Sequence, residues 1–493
     1  MRFEDLTREN LWWKFGDRFW NYDRHLKEIN STFIEFKRKP LDLKSGNIYI
    51  IRGMRQIGKT TYIKQTIRSL LENGTKADTI LYISCDRLST RKELHNLISN
   101  FILQNMEAHT LYLFLDEITY LQDWVLELKN IADGNYINRL VVVATGSNPI
   151  KLKEKTERLP GRRVEGNEYY FKPLNFRDFT LQSIDKISEH IEFDEFSDAL
   201  IGLKDMILKS RIDPDDFNPG AIKKVLPYKE ELDWLFAIYI LTGGIPLVIN
   251  NYLIQKYDNK KENIDPHVYE TFIRVILGDV TKIKRSETTA KTILKDISIK
   301  YSSRYSFTKM QNSLDIPHQT IIEYLELFES SLLIDILYSY DFTKRSARAK
   351  ANKKIYFANT FVFYSLIALL TGEDGFSASQ KIISKNKDIL IEGIVANHLI
   401  QTKEVPYLQE WKTFLWTYYT KTGKEIDFIY RGDGYLGIEV KYKEEVDVRE
   451  ITRILEVNKN IVLTKNQFEI HDNLIFVPVP VFLIGLDRSK RTL

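Results

Sequence analysis

The octapeptide at residues 53–60 reads Gly-Met-Arg-Gln-Ile-Gly-Lys-Thr and matches the phosphate-binding pattern G-x-x-x-x-G-K-[ST] in full. A short apolar run, residues 47–52, precedes it, and residues 61–71 follow it with the spacing of an amphipathic helix. This setting of strand, loop and helix is the one that the motif requires. The octapeptide therefore predicts a site for the phosphates of a nucleotide near the start of the chain.

The glycine, lysine and threonine residues of this loop each have a chemical role in binding phosphate or Mg²⁺. Gly53 and Gly58 let backbone N–H groups turn toward the β-phosphate without a Cβ in the way. Lys59 supplies a positive charge for the β and γ oxygens, and Thr60 supplies a hydroxyl for Mg²⁺. The residues expected to contact ATP are Gly53, Met54, Arg55, Gln56, Ile57, Gly58, Lys59, Thr60 and Thr61.

A second motif completes the predicted nucleotide site. The apolar run at residues 111–115 ends in Asp116 and Glu117. Asp116 is expected to hold Mg²⁺ through water, and Glu117 to polarise the attacking water. Residues 79–84 and 140–145 are two more apolar runs that would complete a parallel sheet. Ser147 follows the last of these runs. Its side chain would either contact the γ-phosphate or belong to an ordinary turn at the end of the strand.

Composition sets the broad class of the chain. Its 493 residues predict about three domains, and a hydrophobic share of 43% is enough for several cores. A net charge of +4 does not favour general binding to polyanions, so a nucleic-acid surface would have to come from a local cluster. The single cysteine, Cys85, excludes internal disulfides and cysteine-rich metal sites. With no signal-peptide core and no long apolar span, a cytoplasmic location without a membrane partner is expected.

Two apolar strands near the C-terminus carry charges. Asp427 lies in the first, residues 424–430, while Glu439 and Lys441 share one face of the second because side chains alternate along a strand. Charge in an apolar strand is unfavourable unless it is used. Asp followed by E-x-K on adjacent strands is the arrangement of the PD-(D/E)xK nucleases. Asp427 and Glu439 would then bind Mg²⁺ and Lys441 would orient the attacking water; the alternative is a half-exposed hairpin with alternating charges.

A helix–helix–hairpin unit precedes these strands. Helical periodicity at residues 287–301, 307–314 and 317–328 leads into two predicted wing strands, 332–338 and 354–357. The stretch around the wing has six cations and no acid: Lys344, Arg345, Arg348, Lys350, Lys353 and Lys354. Such a wing can lie along the phosphates of double-stranded DNA and bind in a salt-dependent way. Because the preceding helix carries several glutamates, an internal protein–protein module is the alternative.

Taken together, these motifs resemble the prokaryotic AAA-superfamily ATPases that join a P-loop core to a winged-helix domain and a C-terminal PD-(D/E)xK nuclease-like domain. Gly161-Arg162, residues 171–179 and Gly-Gly-Ile-Pro at 243–246 extend the likeness over nearly the whole chain. The resemblance implies that Arg162, or Arg163 beside it, is an arginine finger for the γ-phosphate. A finger that acts in trans would imply an oligomer. Glu392, on the predicted helix 389–401, matches the helical acid that completes the metal site of the nuclease fold.

The implied fold is multidomain α/β, with a P-loop parallel-sheet ATPase core, a helical lid, a winged helix-turn-helix and a restriction-endonuclease-like α/β C-terminal domain. The predicted segments are an N-terminal helical segment packing on the core (1–46), the ATPase core (47–180), the lid (181–284), the winged-helix domain (285–372) and the nuclease-like domain (373–493). Two functions fit. ATP hydrolysis either positions a Mg²⁺-dependent nuclease on DNA, or switches a catalytically silent nuclease-like domain that binds a partner.

Overall fold

The computed structural model describes residues 3–146, 167–192, 194–214, 217–282, 285–403, 410–420 and 422–486. The chain folds into two compact units, Met1–Lys172 and Pro173–Leu493. The first unit contains the phosphate-binding loop. The second contains the strands that carry Asp427 and Glu439.

A parallel sheet of five strands forms the centre of the first unit. Its strands are β1 (Asn47–Gly53), β2 (Ile80–Ser84), β3 (Leu111–Asp116), β4 (Leu140–Gly146) and β5 (Glu168–Phe171). They lie in the order β2-β3-β4-β1-β5, and every neighbouring pair is parallel. The strands are almost wholly buried, as expected for a parallel sheet with both faces covered. The four apolar runs predicted as strands are therefore all strands of this sheet, and β5 joins them at its edge.

Helices lie beside this sheet. Those in the described part of the first unit are α1 (Phe3–Glu9), α2 (Trp12–Phe15), α3 (Arg24–Asn30), α4 (Lys59–Glu72), α5 (Arg91–Gln104) and α6 (Trp124–Asp133). Ile98 of α5 and Leu128 of α6 share one hydrophobic core with alternate strand residues such as Leu113 and Val142. The two helices thereby cover one face of the sheet, and α4 starts at the end of the phosphate-binding loop.

The N-terminal segment covers the edge of the sheet at β2. The Asn10 side chain donates to the carbonyl of Tyr82 at 2.9 Å and accepts its N–H at 2.7 Å, as a neighbouring strand would. The indoles of Trp12 and Trp13 both donate to the carbonyl of Ile80, at 3.0 and 2.9 Å. An edge strand exposes unpaired backbone groups, and these side chains satisfy them. The aromatic residues of this segment are structural, because they hold it on the sheet.

The second unit is built on a mixed sheet of eight strands. They are β6 (Ile334–Asp341), β7 (Ser346–Phe357), β8 (Leu415–Tyr419), β9 (Glu425–Arg431), β10 (Tyr435–Val440), β11 (Lys459–Thr464), β12 (Glu469–His471) and β13 (Leu474–Pro478). Their order is β12-β13-β11-β10-β9-β8-β6-β7. The two predicted wing strands thus lie in one sheet with the C-terminal strands, through the parallel pair β6–β8 at Ser339 and Thr417. The sheet continues across the predicted domain boundary at residues 372 and 373.

The predicted wing differs from the observed hairpin in one important respect. Strand β7 begins at Ser346, eight residues before the predicted start at Lys354, so that most of the basic stretch is strand. A register shift between Tyr338 and Ser339 accommodates the longer strand. Lys353 and Lys354 are buried, at 4% and 3% exposure, and are not part of a solvent-facing basic wing. The prediction of six wing cations is therefore wrong for these two.

The helices of the second unit come before and between these strands. In the described residues they are α7 (Phe176–Ser188), α8 (Asp194–Leu208), α9 (Lys229–Thr242), α10 (Pro246–Leu253), α11 (Pro266–Lys282), α12 (Glu287–Ile299), α13 (Phe307–Leu314), α14 (His318–Ser330), α15 (Thr360–Thr371), α16 (Gly375–Ile400) and α17 (Val479–Gly485). Helices α12, α13 and α14 match the three helices that the sequence predicts before the hairpin. Helix α16, kinked at Asn386, precedes the C-terminal strands as expected.

Two glycines end α9 at a sharp turn. Gly243 and Gly244 have φ values of 62° and 71°, in the left-handed region that glycine adopts without strain. A Cβ on Gly244 would lie 2.3 Å from the carbonyl oxygen of Leu174.

Among the described helices, none alone has the length and apolar composition to cross a membrane. The segments Lys223–Thr242 and Pro246–Asp258, bent by 115° at this turn, meet those criteria only as a pair.

Helix α7 is fixed at its start by buried polar contacts. The side chain of Asn175 caps it by accepting the N–H of Asp178 at 2.7 Å. The Arg177 guanidinium, buried at 3% exposure, donates to the carbonyls of Ser210, Ile484 and Ile207. Nε2 of His398 accepts the N–H of Phe176 at 2.8 Å. The Asn-Phe-Arg-Asp-Phe segment is therefore an anchor within the second unit.

Candidate active site

The phosphate-binding loop joins β1 to α4, as its motif predicts. Gln56 and Gly58 take positive φ values of 62° and 88°, which turn the backbone tightly before the helix begins at Lys59. A Cβ on Gly53 would lie 2.8 Å from the carbonyl oxygen of Phe171 in β5. Glycine is thus required at residue 53 by the close approach of a neighbouring strand, a reason that the sequence pattern does not reveal. Only Gly58 is required by its own backbone conformation.

Lys59 lies under this loop. Its side chain is only 4% exposed, and Nζ donates to the carbonyls of Gly53 at 3.0 Å and Met54 at 3.1 Å. The same nitrogen lies 3.9 Å from Oε1 of Glu117. The ammonium is therefore held between the loop and the end of β3, where the two predicted motifs meet.

The Asp116 carboxylate accepts hydrogen bonds from three hydroxyl groups at the carboxyl ends of the strands. Thr60 Oγ1 donates to its Oδ2 at 2.7 Å, and the Tyr82 hydroxyl donates to the same oxygen at 3.0 Å. Thr145 Oγ1 donates to Oδ1 by a short hydrogen bond. Burial first, and then Asp116, raise the pKa of Tyr82 well above its usual value, so that this phenol remains a donor. The predicted pair of Thr60 and Asp116 is thus in direct contact.

Glu117 is positioned differently from its neighbour. It sits in the left-handed region, with φ 50° and ψ 39°, and its side chain is 24% exposed. Its backbone N–H donates to Thr145 Oγ1 at 3.0 Å. One hydroxyl therefore binds the Asp116 carboxylate and the Glu117 backbone together. The Glu117 side chain itself is half-buried, with Oε1 3.9 Å from Nζ of Lys59.

The sequence did not predict several residues of this site. Thr145 is the polar end of the β4 run, and Tyr82 lies two residues before the end of β2. Both are placed by the rule that parallel strands present their carboxyl ends at one edge of the sheet. Arg38 had no sequence signal. Its guanidinium donates to the carbonyls of Ile57 at 3.2 Å and Lys172 at 2.9 Å, and so ties the loop to the residue after β5.

The remaining residues of the predicted loop differ in their exposure to solvent. Ile57 and Met54 are buried, Arg55 and Thr61 are half-buried, and Gln56 is exposed. Ser147, Arg162 and Arg163 lie outside the described residues.

The donor set at the loop fits Mg²⁺. The two candidate ligands, the Thr60 hydroxyl and the Asp116 carboxylate, are in contact, and both offer oxygen atoms. Magnesium typically takes one or two protein oxygens and completes its octahedron with phosphate oxygens and water. Among the described residues no group of three or more His, Cys, Asp or Glu is placed to hold a metal ion, and a site of this kind does not require one.

A second cluster of charges lies in the second unit, around Lys354 of β7. Its Nζ lies 2.8 Å from Glu392 Oε1, 2.8 Å from Asp427 Oδ1 and 2.5 Å from Glu425 Oε1, and the side chain is 4% exposed. The hydroxyl of Tyr356 donates to Glu392 Oε1 at 2.6 Å. Burial lowers the pKa of Lys354, but Asp427, Tyr356 and Glu392 outweigh this effect and hold the pKa well above its usual value. Lys354 is therefore a cation in the middle of the acids.

Glu439 is held by different partners. Its side chain is 4% exposed, Oε1 accepts the N–H of Thr452 at 2.9 Å, and Oε2 lies 3.7 Å from Nζ of Lys441. Burial raises the pKa of Glu439 to about 7, against the opposing effect of Lys441. Burial likewise raises the pKa of Glu392 to about 7, against the opposing effect of Lys354.

These contacts correct the predicted metal set. The prediction has Glu392, Asp427 and Glu439 converging on one ion, with Lys441 free to orient water. In the structure Glu392 and Asp427 surround an ammonium, and the described residues contain no group of acids placed to hold a metal. Lys441 is the ion-pair partner of Glu439. The sequence could not reveal this arrangement, because Lys354 lies far from the E-x-K motif and reads as one more cation of the wing.

Comparison with known proteins agrees with the geometry of the first unit. A family model described as an AAA domain matches residues 45–180. The loop motif, the parallel sheet and this match together define a P-loop ATPase domain of the AAA type. Two further models, both described as domains of unknown function, match residues 233–373 (DUF8612) and 387–482 (DUF4143).

Relatives of the whole chain are distant. A protein of Methanocaldococcus jannaschii is 25% identical over 335 residues, which are 66% of this chain and 62% of that protein. The chain thus spans less than two thirds of this relative. A protein of Haemophilus influenzae is 21% identical over 433 residues, 86% of this chain and 90% of the other. Neither relative has a described activity.

Solved structures give weaker likenesses. The Walker-type ATPase PABY2304 of Pyrococcus abyssi is 14% identical and covers 70% of this chain and 94% of its own, with a TM-score of 0.41. The ORC1 protein of Aeropyrum pernix, solved in complex with DNA, is 12% identical and covers 70% of this chain and 89% of its own, with a TM-score of 0.31. At these scores the likenesses carry no argument about this chain.

Proposed function

We propose that the first unit binds ATP with Mg²⁺ and hydrolyses it, and that the second unit is a nuclease-like binding module controlled by this cycle. The observation that carries the proposal is the contact between Thr60 and Asp116, with Glu117 held beside it by Thr145. A loop motif alone supports phosphate binding. The added carboxylate pair, one buried and one half-buried, supports hydrolysis.

The residues have separate roles in this reaction. Lys59 neutralises the β- and γ-phosphate oxygens, and Thr60 and Asp116 would hold Mg²⁺, directly or through water. When bound, Mg²⁺ supplies Lewis-acid stabilisation of the charge on the phosphates. Glu117 takes a proton from a water molecule, and the oxygen of this water attacks the γ-phosphorus. At the same time the bond between the γ-phosphorus and the leaving oxygen of ADP breaks. Arg162, or Arg163, is the proposed finger for the γ-phosphate.

Nucleotide binding can be tested directly by calorimetry. Lys59→Ala removes the cation that lies under the loop and is expected to lose most of the affinity for MgATP. Lys92→Ala, which changes an exposed lysine on α5, is the matched control and should bind as the unchanged chain does. Unchanged affinity in Lys59→Ala would overturn the assignment of the phosphate site.

The state of Lys354 favours a silent nuclease-like module over an active nuclease. A metal-dependent nuclease needs its acids free for the ion. Here an ammonium with a raised pKa already lies within 2.8 Å of Glu392 and Asp427. Mg²⁺ could reach these acids only if the Lys354 side chain moved away or lost its proton, and the raised pKa disfavours loss of the proton. The geometry therefore fits the regulatory alternative better.

A cleavage assay separates the two functions. Plasmid and linear duplex DNA are incubated with Mg²⁺ or Mn²⁺, with and without ATP, and with Glu439→Ala as the control. The proposal expects no cleavage above the level of Glu439→Ala under any of these conditions. Cleavage that needs a divalent ion and disappears in Glu439→Ala would establish an active nuclease and contradict the silent module.

A further inference from the structure

A cavity of about 340 Å³ in the second unit brings together two arginines from separate hairpins. It is lined by Arg345, in the turn between β6 and β7, and by five residues where β9 leads into β10: Arg431 at the end of β9, Gly432, Asp433 and Gly434 in the turn, and Tyr435 at the start of β10. Neither the nuclease-like motif nor the nucleotide site uses these residues. The cavity therefore shares no lining residue with the acid cluster around Lys354.

Aromatic packing holds the two turns together. The hydroxyls of Tyr340 and Tyr435 are hydrogen bonded at 2.7 Å, and Phe342 packs edge-on against Tyr435 with ring centroids 5.1 Å apart. Tyr340 also stacks on Trp416, with centroids 4.3 Å apart. Two hairpins that are distant in sequence are thus held together at this point, next to Arg345 and Arg431.

Both arginines line the same cavity as Tyr435, whose hydroxyl is hydrogen bonded to that of Tyr340. Burial raises the pKa of Tyr340 to about 12, and the charges of Arg431 and Arg345 both oppose this increase. Within the described part of the chain, neither guanidinium forms an ion pair with a carboxylate, although Asp433 lines the same cavity.

The turn that carries Arg345 is shaped by its own neighbours. Asp341 accepts the N–H of Lys344 at 3.1 Å and lies 3.6 Å from Nε of Arg348. Arg345 itself has a φ of 49°, in the left-handed region. The Asp341 carboxylate thus contacts Lys344 and Arg348 of the same hairpin. The Arg345 side chain is exposed at the mouth of the cavity.

We propose that Arg345 and Arg431 form a clamp for one phosphodiester group of a nucleic-acid backbone. Guanidinium groups bind phosphate oxygens through paired N–H donors. Two arginines and Asp433 leave one net positive charge, which matches the single negative charge of a phosphodiester better than the higher charge of a terminal phosphate. The exposed Lys344 and Lys350 on the same hairpin extend the positive surface beyond the clamp. The inference rests on the proposed binding role of the second unit and names its partner.

The clamp can be tested by fluorescence anisotropy with a fluorescein-labelled duplex of about 20 base pairs, using the full chain without nucleotide. Arg345→Gln and Arg431→Gln should each weaken binding by roughly tenfold. Each should also lower the slope of log K against log salt, and the two changes together should lower it by about one, because both arginines contact the same phosphate. Arg274→Gln changes an exposed guanidinium on α11 and should alter neither quantity.

Asp433→Asn gives an independent readout. Removing the acid from the cavity should strengthen duplex binding and increase its salt dependence, which a purely structural role for the turn would not do. Inorganic phosphate at about 10 mM should compete no better than sulfate at equal ionic strength, because a free dianion is not the preferred ligand. Competition by phosphate alone would show a site for free phosphate and overturn the phosphodiester clamp.

Failure of the clamp and failure of the proposed function give different results. If Arg345→Gln and Arg431→Gln bind the duplex as Arg274→Gln does, the clamp is wrong and the ATPase proposal is unaffected. If the unchanged chain binds no duplex, nucleic acid is not the partner of the second unit. Because duplex binding is measured without nucleotide, a loss of ATP binding cannot be mistaken for a loss of the clamp.

Discussion

The ammonium of Lys354 lies 2.8 Å from the Asp427 carboxylate, inside the group of acids that the sequence assigns to a metal ion. The two residues come from strands at different positions in one sheet, since β7 is its edge strand and β9 lies three places inward. A hairpin that the sequence assigns to DNA binding thus supplies the counter-ion of the nuclease-like motif. This contact changes the expected chemistry of the second unit.

Removing this ammonium should destabilise the second unit. Lys354→Met leaves three half-buried acids without a cation, a change that costs up to about 3–5 kcal/mol where the charges are fully buried. Lys353→Met changes the adjacent buried lysine, which donates to the carbonyls of Ala349 and Ala351 and lies over the rings of Phe307 and Tyr338. Because no carboxylate is left without its cation, this variant should cost less, about 1–2 kcal/mol. Urea denaturation at pH 8 measures both free energies of unfolding. Equal losses in the two variants would show that the acids do not depend on Lys354.

The pH dependence of the Lys354→Met variant gives a second check. Without the ammonium, protonation of the buried acids removes unpaired charge, so the difference from the unchanged chain should shrink as the pH falls from 8 to 5. A difference that stays constant over this range would mean that the carboxylates are solvated.

Thr145 should matter for turnover, although it is not expected to touch the nucleotide. Thr145→Val keeps the shape of the side chain but removes the hydroxyl that binds both Asp116 and Glu117. Hydrogen bonds to charged groups contribute about 1.5–3 kcal/mol, so the rate of ATP hydrolysis should fall roughly 10-fold to 100-fold. Thr145→Ser retains the hydroxyl and should restore most of the rate. Similar rates for the valine and serine variants would remove Thr145 from the mechanism.

His398 should make the second unit sensitive to acid. Burial lowers its pKa from 6.5 to about 4, although the hydrogen bond with the carbonyl of Ile394 opposes this. The folded chain keeps His398 neutral, with Nε2 accepting the N–H of Phe176, while the unfolded chain takes up a proton near pH 6.5. The stabilisation is thus present above pH 6.5 and is lost as the pH falls toward 4, by about 3 kcal/mol in total.

A histidine variant can test this titration. In His398→Gln the steep loss of stability between pH 6.5 and 4 should be reduced, although the variant starts from a lower stability. His318→Gln, which changes an exposed histidine of the same unit, should keep the profile of the unchanged chain. Parallel profiles for all three chains would exclude His398 as the group responsible.

The Gly243-Gly244 turn offers a test of backbone geometry. Gly244→Ala places a Cβ against the carbonyl of Leu174 at a left-handed φ, and should destabilise by about 2–5 kcal/mol. Gly372→Ala is the matched control, because Gly372 also has a positive φ, of 73°, but a Cβ added there would meet no neighbouring atom within 4 Å. Its loss should be only about 1–2 kcal/mol. Equal shifts in melting temperature would mean that the turn relaxes around alanine.

Much of the first unit could be predicted from its sequence, because its signals are local. The loop motif, the apolar runs and Asp116 at the end of a strand fix a parallel sheet and the edge at which the site forms. Thr145, Tyr82 and Arg38 could not be assigned, since their roles depend on which strands are neighbours and on where the N-terminal segment runs. Gly53 was recognised by the motif, but its physical reason is the approach of β5, which the motif does not contain.

The second unit was harder to predict because its important contacts are distant in sequence. The spacing of Asp427, Glu439 and Lys441 indicates a shared sheet face but not the cation that lies among the acids. The sequence groups Lys354 with Lys344 and Arg345, whereas the structure buries Lys354 and exposes the other two. Lys344 and Arg345 lie in the turn before β7, while Lys354 lies near the buried end of that strand, and the composition of a basic stretch does not contain this information.

The most direct test of the central claim is single-turnover hydrolysis of MgATP by the Glu117→Gln variant, with nucleotide binding measured on the same samples. Glu107→Gln, an exposed glutamate of the same unit, is the control. The account predicts ATP binding close to that of the unchanged chain and a hydrolysis rate at least roughly 100-fold lower in Glu117→Gln, with no change in Glu107→Gln. An unchanged hydrolysis rate in Glu117→Gln would contradict it.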